Sequence, residues 1–483
     1  MKKYKLDKPR EECGVFGICN HEDASALVAL GLHALQHRGQ EGCGIVSFDG
    51  TTFHSEKRQG LIGDHFTDPA TIKKLPGHQA IGHNRYSTTG EVSLRNIQPF
   101  FADLYGGGVS LAHNGNLTNA LELRNALVQE GAIFRTTSDT ETIVQLIAKS
   151  KRVKMIDKII DTLFQIQGGY ALVMMTSKKL IGLRDPFGIR PLVLGKLNSS
   201  YVFASETCAL DIIGARFVRN VENGEIIVIE DGKLNSIKPF PTIKERPCAF
   251  EYIYFARPDS LLNGRCAYEY RKKMGEELAK ETDLEADLVV PVPDSGVPAG
   301  LGYSQYTKKS FELGLIRNHY VGRTFIEPTQ SIRSFGVKLK LNPTQTLVKD
   351  KSIILVDDSL VRGTTCHKIV KMLYDAGAKE VHVRIACPEI LFPDFYGVDM
   401  PTKKELLASN KTNQEMCNYI NAKSLKFLSL SGLYKALGFK ERNELYPQLS
   451  DHYFTGEYPV KPSDLLGEGK ITQLSLLSSK SNN

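Results

Sequence analysis

The chain has 483 residues, 41% of them hydrophobic and 24% charged, ordinary globular usage that excludes a disordered, collagenous or coiled-coil protein. At about 100 to 200 residues per domain, this length calls for two or more cores. Lysine and arginine number 61 against 54 acidic residues, a net charge of +7; this suits an anionic ligand, but beyond the first ten residues no dense basic block marks a nucleic-acid binder.

The chain begins MKKYKLDKPREE, with no apolar stretch behind the charges. No run approaches the roughly 18 apolar residues of a membrane span, so neither a signal peptide nor a membrane anchor is expected. Nine cysteines are scattered and odd in number, without the CxxC pairs of a zinc or redox site. A reducing cytoplasm fits that usage best.

From Cys13 to about Pro247 short alternating strands and glycine-rich turns predominate, broken by two helical stretches, Ser25 to Gln36 and Thr118 to Glu130. The second has Thr118 as its expected N-cap and Leu121, Leu123, Leu127 and Val128 as its apolar face. Strands are expected at Val109 to Ala112, Tyr170 to Met175 and Glu225 to Ile229, the last followed by a turn at Asp231 and Gly232. This is a mixed α+β pattern.

After Pro239, Pro241 and Pro247 the pattern changes. Apolar strands at Asp287 to Val292, Ser352 to Val356 and Val381 to Ala386 alternate with glycine-bearing loops and helices, which predicts an α/β parallel sheet with ligands at its carboxyl edge. The expected divisions are 1–12, 13–245, 246–460 and a frayed tail at 461–483.

The strongest motif is the strand Ile353 to Val356 running into Asp357-Asp358-Ser359-Leu360-Val361-Arg362-Gly363-Thr364-Thr365. A helix N-terminus offers unpaired N–H groups to a phosphate, and the hydroxyls of Ser359, Thr364 and Thr365 add donors. Asp357 and Asp358 can reach sugar hydroxyls or a magnesium ion. A capped helix with no ligand is the plainer alternative. The run resembles the signature of type I phosphoribosyltransferases, which bind phosphoribosyl diphosphate (PRPP). Pro293-Asp294-Ser295-Gly296 is similar to that family's diphosphate loop, and the polar stretch Gly322 to Asn342 to its flexible loop. The resemblance implies PRPP contacts from Asp294, Ser295, Lys338, Asp357, Asp358, Ser359, Arg362, Gly363, Thr364 and Thr365, and Mg2+ near Ser295, Asp357 and Asp358. Taken alone, Lys338 reads as a surface lysine.

The first half carries a second cluster: Glu12-Cys13-Gly14-Val15-Phe16-Gly17, His37-Arg38-Gly39-Gln40-Glu41-Gly42, Asn84-Arg85-Tyr86-Ser87-Thr88, His113-Asn114-Gly115-Asn116-Leu117 and Ser138-Asp139-Thr140-Glu141. Cys13 alone could be a small buried hydrophobe. The set resembles the class II glutamine amidotransferases, an N-terminal nucleophile family with an αββα sandwich in which a short leader is removed to expose the cysteine. A terminal amine has a pKa near 8 and a thiol one near 8.5, so the amine can act as base for its own side chain. The resemblance implies Cys13 as nucleophile, Asn114 and Gly115 as the oxyanion hole, Arg85 on the glutamine α-carboxylate and Asp139 on its α-ammonium.

The two halves in this order are similar to the enzyme family that hydrolyses glutamine and passes the ammonia internally to PRPP. The implied products are 5-phosphoribosylamine, glutamate and diphosphate, at the committed step of purine synthesis. The resemblance also implies a homotetramer or homodimer inhibited by purine nucleotides. Some members hold an iron-sulfur cluster on four cysteines. Here Cys248 matches the first ligand position, but Asp394 stands at the second, and Ser450-Asp451-His452-Tyr453 replaces the C-terminal CxxC, so no cluster is expected and Cys248 is a structural leftover. Two other readings stay open: a PRPP-sensing repressor, which would need a DNA-binding element and lack the Cys13 set, and an amidotransferase acting on a sugar phosphate, which would lack the Asp357 to Thr365 run.

Overall fold

The structure is a computed structural model that describes residues 10–11, 13–86, 93–282, 284–318, 341–400 and 402–465. Lys338, the leader apart from residues 10 and 11, and the tail beyond residue 465 lie outside the described residues.

The strand Gly14–Cys19 shows why the first half stacks in layers. Val15 and Cys19 face one side, Phe16 and Ile18 the other, and all four are buried. Both faces of the sheet must therefore be covered. Seven strands form that sheet in the order 216–220, 193–197, 200–204, 14–19, 79–85, 42–48 and 53–59. Six more form a second, antiparallel sheet in the order 233–237, 226–230, 179–184, 168–176, 107–117 and 100–104. Val15, Val46 and Ile81 of the first sheet meet Ala112, Val173 and Ile227 of the second in one apolar layer. Outside it, Phe16 and Ile18 pack on Val28 and Leu32 of the helix Ala24–Ala34. On the far side Leu111, Leu172 and Ile181 pack on Leu127, Ile143 and Ile159, which come from the helices Ala120–Gln129, Asp139–Lys149 and Met155–Leu163. The result is the αββα sandwich.

The helix Ala120–Gln129 corrects two expectations. Leu121 and Val128 are exposed; the buried face is Ala120, Arg124 and Leu127. Thr118 is not the cap. Asn119 occupies that position, with its side chain engaged by Gln165 and Gln167, and the open N–H groups of Leu121 and Glu122 donate to Asp464 at 2.8 and 3.2 Å. Residues 461–465, expected to fray, thus return to the first half, and Ser463 and Asp464 also donate to Thr118 O.

The second half is a five-stranded parallel sheet in the order 310–311, 288–291, 352–357, 380–385 and 424–427. Its central strands are buried on both faces, Ile353 to Val356 fully so, which explains their unbroken apolar sequence. Pro291 lies beside Val356, and Val292 N donates to Val356 O at 2.8 Å. The loops after residues 292 and 357 therefore leave neighbouring strands at the same carboxyl edge.

Several connections tie the halves together, among them the following. Residues 10–11, in the stretch expected to be removed, pair antiparallel with Val398–Asp399. The turn before that pair packs on the first half: Asn116 Nδ2 donates to Phe395 O at 3.0 Å, and a Cβ on Gly397 would lie 2.9 Å from Gly115 Cα. A π-helical turn, Glu251–Phe255, inserts Glu251 among buried arginines of the first half. No helix among the described residues is long and apolar enough to cross a membrane.

Candidate active sites

Cys13 precedes the central strand of the first sheet and is almost fully buried. Its thiol points to Tyr86 O at 3.7 Å. Its nitrogen donates to Arg38 O at 3.2 Å, and Arg38 Nε donates back to Cys13 O at 3.4 Å. Arg85 ends the neighbouring strand, Gln79–Arg85, which pairs with residues 14–19 through Gly14 and Asn84. The HRGQ turn crosses directly over it, and a Cβ on Gly39 would strike the Asn84 carbonyl carbon at 2.6 Å.

Asn114 and Gly115 lie near the end of the strand Gly107–Leu117 in the facing sheet. Gly115 has φ +140°, and a Cβ there would sit 2.1 Å from Gly169 O, so only glycine fits. Asp139 opens the helix Asp139–Lys149 behind the Ser138 cap, and its carboxylate accepts from Leu117 N at 3.0 Å. His113 and His83, on the strands of Asn114 and Arg85, are fully buried. Burial pushes both imidazoles down, His83 to about 3.

Two arginines absent from the expected site organise it. Arg190 donates to Asn114 Oδ1 at 3.2 Å. A guanidinium can only donate, so this bond fixes the amide orientation and turns Asn114 Nδ2 the other way. That nitrogen is buried and has no hydrogen-bond partner among the described residues. Arg190 is held there by an unusual turn: Asp185 accepts from the N–H groups of Phe187, Ile189, Arg190 and Tyr170, while Arg184 binds the carbonyls of Gly188 and Arg190. The run Asp185-Pro186-Phe187-Gly188-Ile189-Arg190-Pro191 carried the signal, a proline- and glycine-punctuated loop with one acid and one base. Arg38, already in a singled-out motif, bonds Glu206 and Glu251. His37 joins Glu206 at 2.6 Å. Despite burial, His37 and Arg38 hold the Glu206 carboxyl well below its ordinary range, and Glu206 holds the His37 imidazole up.

At the second site the structure brings the Asp357 run and the Pro293 loop together at adjoining strand ends. Asp357, Asp358 and Ser359 are buried. Asp357 Oδ1 accepts from Asp358 N at 2.9 Å, and Ser359 Oγ donates to Asp358. Gly363 has φ +77°, a conformation glycine adopts freely, and stands at the cap of the twelve-residue helix Thr364–Asp375. Arg362 lies 3.9 Å from Glu405. Asp294 is exposed and paired with Arg317 at the end of the strand Leu315–Arg317; Ser295 follows it, half-buried.

The donor chemistry here fits magnesium. Among the described residues no trio of His, Cys, Asp and Glu could hold a metal unaided, and magnesium commonly binds through one or two carboxylates, waters and substrate phosphates. The iron-sulfur positions give the opposite answer. Cys248, Asp394, Ser450, His452 and Tyr453 do converge, but as a hydrogen-bonded core: His452 Nε2 meets Asp394 Oδ1 at 2.7 Å, Ser450 Oγ meets His452 Nδ1 at 3.1 Å, and Cys248 Sγ meets Tyr453 OH at 3.3 Å. Burial pushes the Cys248 thiol up to about 12. One neutral thiol in this set does not fit a cluster that needs thiolates.

A glutamine amidotransferase domain model matches residues 83–211. The amidophosphoribosyltransferase of Rhizobium etli is 57% identical over 479 residues, 98% of this chain and 97% of its own. That of Bacillus subtilis is 46% identical over 452 residues, 93% of this chain and 94% of its own. The solved glutamine PRPP amidotransferase of B. subtilis, complexed with ADP and GMP, superposes with a TM-score of 0.88 at 45% identity, covering 93% of this chain and 98% of that one. With identity sustained across both halves of the molecule, the chain belongs to the amidophosphoribosyltransferase family.

Proposed function

We infer that the chain hydrolyses glutamine and transfers the ammonia to PRPP, yielding 5-phosphoribosylamine, glutamate and diphosphate. The observation that carries the assignment to these residues is the Asn114 amide: its Nδ2 is buried and without a partner among the described residues, and Arg190 fixes its orientation. Such a donor costs stability in the resting protein and gains a partner only when an oxyanion forms.

In this reading the Cys13 thiolate attacks the glutamine amide carbon, with the freed α-amine taking the thiol proton. Asn114 Nδ2 and Gly115 N–H stabilise the tetrahedral oxyanion, ammonia leaves, and water hydrolyses the thioester. Arg85 and Asp139 hold the α-carboxylate and α-ammonium of the substrate. Removal of residues 1–12 is part of the proposal, because an internal Cys13 has no free amine. Its backbone supports this: Cys13 has φ +74°, a left-handed conformation that costs an L-residue about 1–2 kcal/mol, and cutting the preceding bond abolishes that torsion.

At the second site ammonia forms a bond to C1 of the ribose as the C1–oxygen bond to diphosphate breaks. The Thr364–Thr365 helix start and Ser359 would hold the 5-phosphate, and Asp357 and Asp358 the ribose hydroxyls. Asp294, Ser295, Arg362, Gly363 and Lys338 complete the proposed PRPP contacts. Bound through Ser295, Asp357 and Asp358, Mg2+ would supply charge neutralisation for the diphosphate. Internal passage keeps ammonia unprotonated and nucleophilic. Purine nucleotides are proposed as inhibitors, in line with the ADP and GMP in the B. subtilis complex.

The test is N-terminal sequencing of active protein with paired assays for glutamate and diphosphate. The reading predicts a chain starting at Cys13 and diphosphate release that requires glutamine or ammonium. Active protein with residues 1–12 attached, or diphosphate release indifferent to both nitrogen donors, would overturn it.

A further inference from the structure

Glu251 belongs to the stretch that precedes the parallel sheet, yet its carboxylate lies inside the amidotransferase half. Arg38 Nη2 donates to Glu251 Oε1 at 2.8 Å and Arg38 Nη1 to Oε2 at 3.3 Å. Arg190 Nη2 lies 3.4 Å from the same Oε1. All three side chains are buried, both arginines completely. Each arginine also touches one half of the hydrolytic machinery. Arg38 brackets Cys13 through its carbonyl and its Nε, and Arg190 sets the Asn114 amide. One carboxylate therefore stands between the residue that holds the nucleophile and the residue that aims the oxyanion donor.

The turn carrying Glu251 is itself fixed. Arg271, buried on the helix Ala267–Thr282, donates to the carbonyls of Glu251, Tyr252 and Ala256 at 3.5, 3.0 and 2.6 Å. Two guanidinium groups packed this closely repel unless an anion lies between them, and a buried charge without its partner is unstable. The second anion, Glu206, bonds Arg38.

We propose that Glu251 is a positioning residue for glutamine hydrolysis: by bridging Arg38 and Arg190 it fixes the Cys13 backbone and the Asn114 amide relative to one another. Buried between Arg38 and Arg190, Glu251 acts through those two residues. Its effect belongs to the chemical step, because a donor displaced by an ångström loses transition-state stabilisation while Arg85 and Asp139 still bind glutamine. The proposal rests on the assignment of Cys13 and Asn114 made above.

The experiment compares glutamine-dependent with ammonium-dependent phosphoribosylamine synthesis in the same sample of full-length enzyme, so that the fraction of folded protein cancels. In Glu251→Gln the ratio of the two rates should fall about 10- to 100-fold, the range expected for misplaced catalytic groups, with the loss in kcat and the glutamine KM nearly unchanged. Glu251→Asp keeps the charge but shortens the arm, and should show the same split if Glu251→Gln does not fold. Adding Arg190→Lys to either variant should cost little more than the worse single change, because the residues act as one unit. A ratio within about twofold of the unmodified enzyme, or additive losses in the double variant, would overturn the proposal. An unmodified enzyme that makes no product from glutamine would instead overturn the underlying assignment.

Discussion

The Asn114 amide, proposed as an oxyanion donor, and the buried arginines bear on what single residues contribute. Asn114→Ala removes one donor from the developing oxyanion and should lower glutamine kcat about 10²- to 10³-fold, the usual loss for such a donor, while ammonium-dependent synthesis stays intact. Steady-state assays with the two nitrogen sources check this. The His37–Glu206 pair makes a pH prediction. His37 is raised from its ordinary value, so its contribution is complete below the unfolded pKa of about 6.5 and is lost as pH rises through the higher folded value. Glu206 is depressed, so its share is complete above an ordinary carboxylate pKa and lost only as pH falls through its lower folded value. Comparing the Tm of the native chain with that of His37→Gln from pH 5 to 10 should show a destabilisation that shrinks at the alkaline end. Cys13, Arg85, Asn114 and Asp139 could be proposed from sequence because each sits in a compact polar motif between apolar strands. Arg190 and Glu251 could not, since their contacts form only where three distant segments meet through space.

At the scale of elements, strands were more legible than helix faces. The alternation along residues 14–19 and the unbroken apolar run at 353–356 each specify how many faces are covered. The helix Ala120–Gln129 misled because leucine and valine at positions 121 and 128 imitate an apolar stripe, while Arg124 is buried with its side chain bonded to Thr136 O. Its cap could not be read locally either, since Asp464 supplies it from the far end of the chain. Asp464→Ala should therefore destabilise the protein by about 0.5–2 kcal/mol, as loss of a capping side chain does. Denaturation in urea would register this as a lower midpoint, whereas an unchanged midpoint would mean that the cap contributes nothing.

For the whole molecule, the two halves are joined by polar contacts placed next to the amidotransferase centre rather than by a flexible tether. Glu251 reaches Arg38 and Arg190. The 394–398 turn, whose N–H groups at Tyr396 and Val398 are held by Asp394, lies on Gly115. The positions that hold an iron-sulfur cluster in some relatives converge behind that turn, with His452 and Asp394 paired and fully buried. The sequence registered the missing cysteines but not this replacement, because the pairing of His452 with Asp394 requires the folded chain.

One chain is proposed to run two separable chemistries, glutamine hydrolysis at Cys13 and transfer to PRPP at the Asp357–Thr365 loop. The most direct measurement is diphosphate release from PRPP by Cys13→Ala, supplied first with glutamine and then with ammonium. The variant should show no release above background with glutamine and a near-normal rate with ammonium. Retained activity with glutamine, or equal loss with both donors, would contradict the proposal.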